Sequence, residues 1–307
     1  MDSDLPTKAA GGGTAQVPPS VSAEHPKSQP LSEKPPAMGI FCAIAYTAIF
    51  MGLLYGMSRI VAVFAILIKL SHMFSDLMYL GVRCAAAVVL LNFGFRKTSS
   101  SWSEALSLKR FSGWLLLPMI VAAAGFGILN PEAGRVPYWF FALPDRLVKL
   151  FSVHRRAPPI ELLSVVGVTP LIEEAVFRGL ILGGLLRRYS APTAILVSAV
   201  LFALFHRNPF QLVGAFFAGL LAGWIYVRTR SLWPCVIFHA LINLKPTLVT
   251  MGAFPWMIPG YSARLPPGLV QPLWLDTLGA ELTAIGLIGL ALVFRRRPAQ
   301  NIPQVNA

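Results

Sequence analysis

Residues 160–186 read IELLSVVGVTPLIEEAVFRGLILGGLL. The run is long enough to cross a bilayer, which takes about 20 apolar residues, yet Glu173, Glu174 and Arg178 interrupt it. In lipid such a run must be helical, because only a helix or a closed barrel satisfies all of its own backbone polar groups. At 1.5 Å per residue the two glutamates lie about 20 Å from either end. An ionisable side chain at that depth is costly, and is by default a candidate functional group. Adjacent residues on a helix point about 100° apart. Glu174 and Arg178, four residues apart, can therefore pair on one face while Glu173 faces a cavity.

The rest of the chain has the same character. Of 307 residues, 55% are hydrophobic and 13% charged, and the mean hydropathy is +0.64; soluble domains carry about 25% charged residues. Further apolar runs cover 37–57, 74–95, 111–129, 191–205, 210–227, 232–250 and about 269–294. The expected fold is therefore all-α: a polytopic membrane helix bundle of about eight transmembrane helices, in a multi-pass protein of the cell (inner) membrane. Residues 60–70 read as an extension of the first span or an interfacial helix, and 138–151 as another of these. Cys42, Cys84 and Cys235 all lie in apolar stretches, without the spacing of a disulfide framework or a CxxC metal site.

Three regions are expected: a Pro/Ser/Gly-rich disordered tail over 1–36, a transmembrane domain over 37–297, and a short tail over 298–307. The first run is too long for a signal-peptide core and reads as an uncleaved span. The net charge of +13 could suggest nucleic acid. The cations, however, cluster at the ends of apolar runs (Arg96 and Lys97, Lys109 and Arg110, Arg187 and Arg188, Arg228 and Arg230, Arg295 to Arg297), as orientation signals do. No nucleic-acid partner is expected. With both termini cytoplasmic, cytoplasmic segments hold 14 Lys and Arg against 9 in the outer loops.

Two histidines join the buried acids. His206 closes Phe202-Ala-Leu-Phe-His206 at the end of the fifth run, and His239 opens His239-Ala-Leu-Ile-Asn243 within the seventh. His239 and Asn243, four apart, share a helical face. Polar groups on three separate spans cluster in lipid to satisfy one another and to line a wet cavity.

Together, Glu173-Glu174-Ala-Val-Phe-Arg178, Phe202-x-x-x-His206 and His239-x-x-x-Asn243, at spacings of 33 residues from Glu173 to His206 and 33 more to His239, resemble the three-motif signature of the CPBP family (CAAX proteases and bacteriocin-processing enzymes). That family includes the type II CAAX prenyl proteases. The resemblance covers about 160–250. It implies an intramembrane endopeptidase acting on a membrane-anchored or lipidated protein or peptide. Glu173 would be the catalytic carboxylate, His206 its partner in activating water, and His239 with Asn243 the oxyanion donors. Glu174 and Arg178 would support them. A donor of that kind in a pocket shielded from water contributes about 2.7 to 4 kcal/mol.

No cofactor is required by this reading. Its variant is a zinc ion held by Glu173, His206 and His239 with one open position, although the HExxH helix that sets two zinc-binding histidines on one face is absent. The alternative from another class is an ion- or proton-coupled transporter, or a non-catalytic immunity or scaffold membrane protein. Against transport, the polar set is concentrated in the second half, with no counterpart in the first.

Overall fold

The computed structural model describes residues 37–97, 106–140, 159–250 and 270–296; the expectations for 1–36, 141–151 and 298–307 fall outside them. The described residues belong to one compact unit. All eight apolar runs are helical, and no strand occurs among the described residues.

Helix α1 spans Ile40–Leu67, α2 His72–Lys97, α3 Leu116–Ala133 after a single tight turn at Gly113–Leu115, and α4 Val136–Phe140. A continuous helical stretch over 159–185 is α5. Then follow α6 Ala191–Phe205, α7 Pro209–Thr229, α8 Leu232–Thr250 and α9 Leu273–Arg295. The 60–70 run is the continuation of α1.

Among the described residues, five segments are long and apolar enough to cross a membrane: α1, α2, Gly113–Phe140, α7 and α9. Helix α6 is apolar but has only 15 residues. In α5, all eight residues of Ala175–Leu182 are buried, so protein surrounds that stretch. The chain is a polytopic helical membrane bundle whose outer helices meet lipid. Phe41, Trp114 and Leu273, at 88%, 81% and 80% exposure, belong to that apolar exterior.

Local signals explain the boundaries around the centre. Ser190 caps α6 by accepting from the Thr193 N–H at 3.5 Å, and Asn208 caps α7 by accepting from the Phe210 N–H at 3.1 Å. A proline sits in the first turn of each helix, where its missing N–H costs nothing. Between them Arg207 adopts φ 50°, and Arg230 ends α7 at φ 51°.

Helices α2, α6, α7 and α8 pack around α5, and α3 lies along α9. The α3–α9 seam depends on small residues: a Cβ on Gly286 would come within 2.6 Å of Ala122 Cα, and one on Gly125 within 2.6 Å of the Gly279 carbonyl oxygen. Such close approach gives helices the contact that hydrophobicity cannot supply in lipid.

One end of the bundle is fastened by polar loop contacts. Ser107 Oγ donates to the Arg230 carbonyl, Ser231 Oγ to that of Lys109 at 2.7 Å, and Arg228 Nη2 to that of Phe294 at 2.7 Å. The Met38 N–H donates to the Gly184 carbonyl at 3.3 Å. Lys109, Arg187, Arg228 and Arg230 gather at this end.

Candidate active site

The site is built on α5, α6 and α8. Helix α5 is not uniformly wound: Leu163–Val168 and Ala175–Leu182 follow the wider i→i+5 pattern, and Thr169–Glu174 between them is α-helical. Wide turns of this kind are frequent at functional sites. Here the sequence supplies a cause. The Thr169 N–H reaches back five residues to the Ser164 carbonyl, and Pro170 has no N–H to offer the carbonyl of Val165. That carbonyl accepts instead from Asn243 Nδ2 on α8, at 3.0 Å. The missing donor in α5 thus positions Asn243, whose amide nitrogen keeps a second N–H.

Glu174 is fully buried, and its Oε1 has two partners: Arg178 Nη1, which donates at 3.0 Å, and His239 Nδ1 at 2.9 Å, where the tautomer with hydrogen on Nδ1 donates. Arg178 also donates through Nη2 to the Gly219 carbonyl on α7, at 3.2 Å. One carboxylate therefore ties α5 to α8 directly and to α7 through the arginine. With Nδ1 committed to Glu174, His239 turns Nε2 towards Glu173 Oε2, 3.9 Å away. That separation is too long for a hydrogen bond, and Glu173 Oε2 is buried without a hydrogen-bond partner. Each glutamate keeps a buried Oε2 without a hydrogen-bond partner, but the two differ: Glu174 is bonded into the scaffold through Oε1, whereas the uncommitted oxygen of Glu173 faces an imidazole nitrogen.

His206 terminates α6. Its Nδ1 lies 2.8 Å from the Phe202 carbonyl; donation there leaves Nε2 with its lone pair available. No hydrogen bond joins His206 to Glu173. What relates His206 to the other site residues is the ring of Phe202. It meets the His206 ring edge-on at 4.8 Å and the His239 ring at 5.6 Å and 87°, and Arg178 Cζ sits 4.5 Å from its centre. Phe202 is buried, packed edge-to-face on Phe177. The sequence marks Phe202 only as the apolar start of a motif. Its spacing of four from His206 was the available signal for this role. The Gly219 and Val165 carbonyls carried no sequence signal, because any residue has one.

On a straight-span reading these groups would lie at different depths. The short α6 removes the conflict. Fifteen residues rise about 22 Å, and Glu173, twelve residues before the end of α5, lies about 18 Å from that same end. His206 therefore finishes near the level of Glu173 rather than at the far membrane surface.

The zinc variant finds no ligand set: among the described residues no group of three His, Cys, Asp or Glu side chains is gathered to hold a metal. His239 Nδ1 and His206 Nδ1 are occupied by Glu174 and a backbone carbonyl, so a metal would have to draw on the Nε2 atoms, of which that of His239 faces Glu173 Oε2 at 3.9 Å.

Residues 155–245 match the family model described as type II CAAX prenyl endopeptidase Rce1-like. The segment is similar to that family. All three motifs lie inside it. A relative in Bacillus subtilis (strain 168), described as a membrane peptidase, YdiL, is 26% identical over 133 residues, 42% of this chain. The chain spans about half, 52%, of the length of that relative. No solved structure matches the chain. The Rce1-like segment and five apolar helices together make this an integral, multi-pass membrane protein.

Proposed function

We propose that the protein is an intramembrane endopeptidase that hydrolyses a peptide bond in a membrane-anchored or lipidated protein. The observation that carries this reading is the uncommitted Glu173 carboxylate oxygen, buried and facing His239 Nε2 at 3.9 Å, within a segment similar to a peptidase family. In this mechanism Glu173 takes a proton from water as the water attacks the carbonyl carbon, and His206 Nε2 shares the proton handling. As the tetrahedral oxyanion forms, the second N–H of Asn243 and, on the protonated ring, the Nε2–H of His239 donate to it. The Glu173 proton then passes to the leaving amine. Glu174 and Arg178 touch no reacting atom; they hold His239 in the orientation that presents Nε2.

The basic end of the bundle, with Lys109, Arg187, Arg228 and their neighbours, is the cytoplasmic face in this reading. The described helices outside the Rce1-like segment, α1 to α4 and α9, supply the lipid-facing enclosure.

The test compares protein termini in membranes holding the wild type and the Glu173→Gln variant, followed by turnover of the identified substrate by the purified proteins. Gln keeps the shape but cannot accept the proton. Turnover should fall at least about 100-fold with an unchanged melting temperature, and wild-type activity should survive exhaustive chelation. Cleavage retained by Glu173→Gln would remove Glu173 from the chemistry.

A further inference from the structure

Arg83 lies at membrane depth, and the chemistry above does not use it. It sits on α2, fourteen residues before Lys97 and eleven after His72, about 21 Å and 16 Å from the two helix ends. Helix α2 runs along α5. A Cβ on Gly94 would come within 2.6 Å of Leu180 Cδ2, and eleven residues away Arg83 Nη1 donates to Thr169 Oγ1 at 2.9 Å. Thr169 and Glu173, four apart in the α-helical part of α5, share a face one turn, about 6 Å, apart.

Arg83 is exposed, and none of the ion pairs among the described residues includes it. A guanidinium has five N–H donors in a planar fork, and the hydrogen bond from Arg83 to Thr169 uses one. The other deeply placed guanidinium, Arg178, is 1% exposed and neutralised by Glu174 at 3.0 Å. An intramembrane cation draws an anion, and the planar fork favours a carboxylate bound through two parallel hydrogen bonds.

We propose that Arg83 binds a carboxylate of the peptide substrate in the seam between α2 and α5, one helical turn from Glu173, and so positions the chain for cleavage. This rests on the proteolytic reading above. Arg83 is then a specificity-determining residue: a substrate bearing the carboxylate is selected over its neutral counterpart. The carboxylate is either the peptide C-terminus or an acidic side chain near it, and Thr169 holds the guanidinium in place.

The experiment uses the full-length protein in phosphatidylcholine proteoliposomes and three acylated ten-residue peptides. One has a free C-terminal carboxylate, one a C-terminal carboxamide, and one a carboxamide with an Asp as its penultimate residue. The wild type should prefer the carboxylate over the carboxamide by about tenfold or more in kcat/KM, the worth of one charge-assisted pair. The ratio should fall near one in Arg83→Gln and recover in part in Arg83→Lys. A ratio taken within each protein is insensitive to the fraction that folds. The Asp peptide distinguishes the sources: regained preference assigns a side-chain carboxylate, and none assigns the C-terminus.

Binding of the same peptides to the Glu173→Gln protein, read by fluorescence anisotropy, gives the carboxylate preference without turnover. Absence of cleavage by the wild type would thus sink the proteolytic reading, while the binding ratio would still decide the role of Arg83. A ratio near one in the wild type, or one unchanged by Arg83→Gln, overturns the proposal.

Discussion

Helix α1 and the Ala175–Leu182 stretch of α5 are both dominated by apolar residues, and their places in the molecule are opposite. Of the 28 residues of α1, five are buried: Ala43, Tyr46, Thr47, Phe50 and Val61. In Ala175–Leu182 every residue is buried, Arg178 included. In water the more apolar helix would be the inner one. In a bilayer the apolar helix is already in a matching solvent, and the helix with charges is the one that must be enclosed. Burial here follows polarity: Glu174, Arg178 and His239 are at the centre because they have one another as partners there.

The largest expected effect breaks that centre. Arg178→Ala strands the charge of Glu174 among protein and should cost about 3–5 kcal/mol, read as a lowered melting temperature together with lost activity. Glu174→Gln combined with Arg178→Gln leaves neither charge unpaired and should recover much of the stability. An Arg178→Ala protein that melts like the wild type would refute the enclosure argument. A double variant that is stable yet no more active than Arg178→Ala would move Arg178 from scaffold to substrate contact.

A smaller loss follows from Phe202→Leu. It keeps an apolar side chain but removes the ring face that meets Arg178 and the edges packed on His206 and His239. A desolvated cation–π contact is worth about 2 kcal/mol, so a melting shift corresponding to that, with a fall in kcat, is expected. Wild-type turnover in Phe202→Leu would show that the ring only fills space.

The smallest effects sharpen the contrast between sealed and lipid-facing surfaces through one substitution at two glycines. At Gly286 a new Cβ would press on the backbone of Ala122, so Gly286→Ala should destabilise by about 1–2 kcal/mol. At Gly52 on α1 nothing lies within 4 Å of that position, so Gly52→Ala should be neutral or stabilising by up to about 1 kcal/mol. Thermal unfolding in one detergent reads both. Equal effects of the same sign would mean that α1 is covered where the structure leaves it open.

The sequence alone determined the solvent and the secondary structure. Eight apolar runs in a chain this poor in charge have no soluble solution, and the bilayer restricts them to helices. It also marked Glu173, Glu174, Arg178, His206, His239 and Asn243, because each is a polar group where a bilayer charges heavily for one. The pairing of Glu174 with Arg178 was legible for the same reason that it forms, namely that residues four apart on a helix are neighbours.

Only the tertiary structure decided what crosses between helices. It gave Glu174 a second donor in His239 and left Glu173 Oε2 free. It set Phe202 among two histidines and an arginine, and it turned the N–H missing at Pro170 into the bond that positions Asn243. It also brought Arg83 to Thr169, beside the acid, across 86 residues of chain. Spacing along one helix fixes only which residues share its face. Which faces meet, and at what depth, depends on helix length, winding and close packing, and those are settled by all the helices at once.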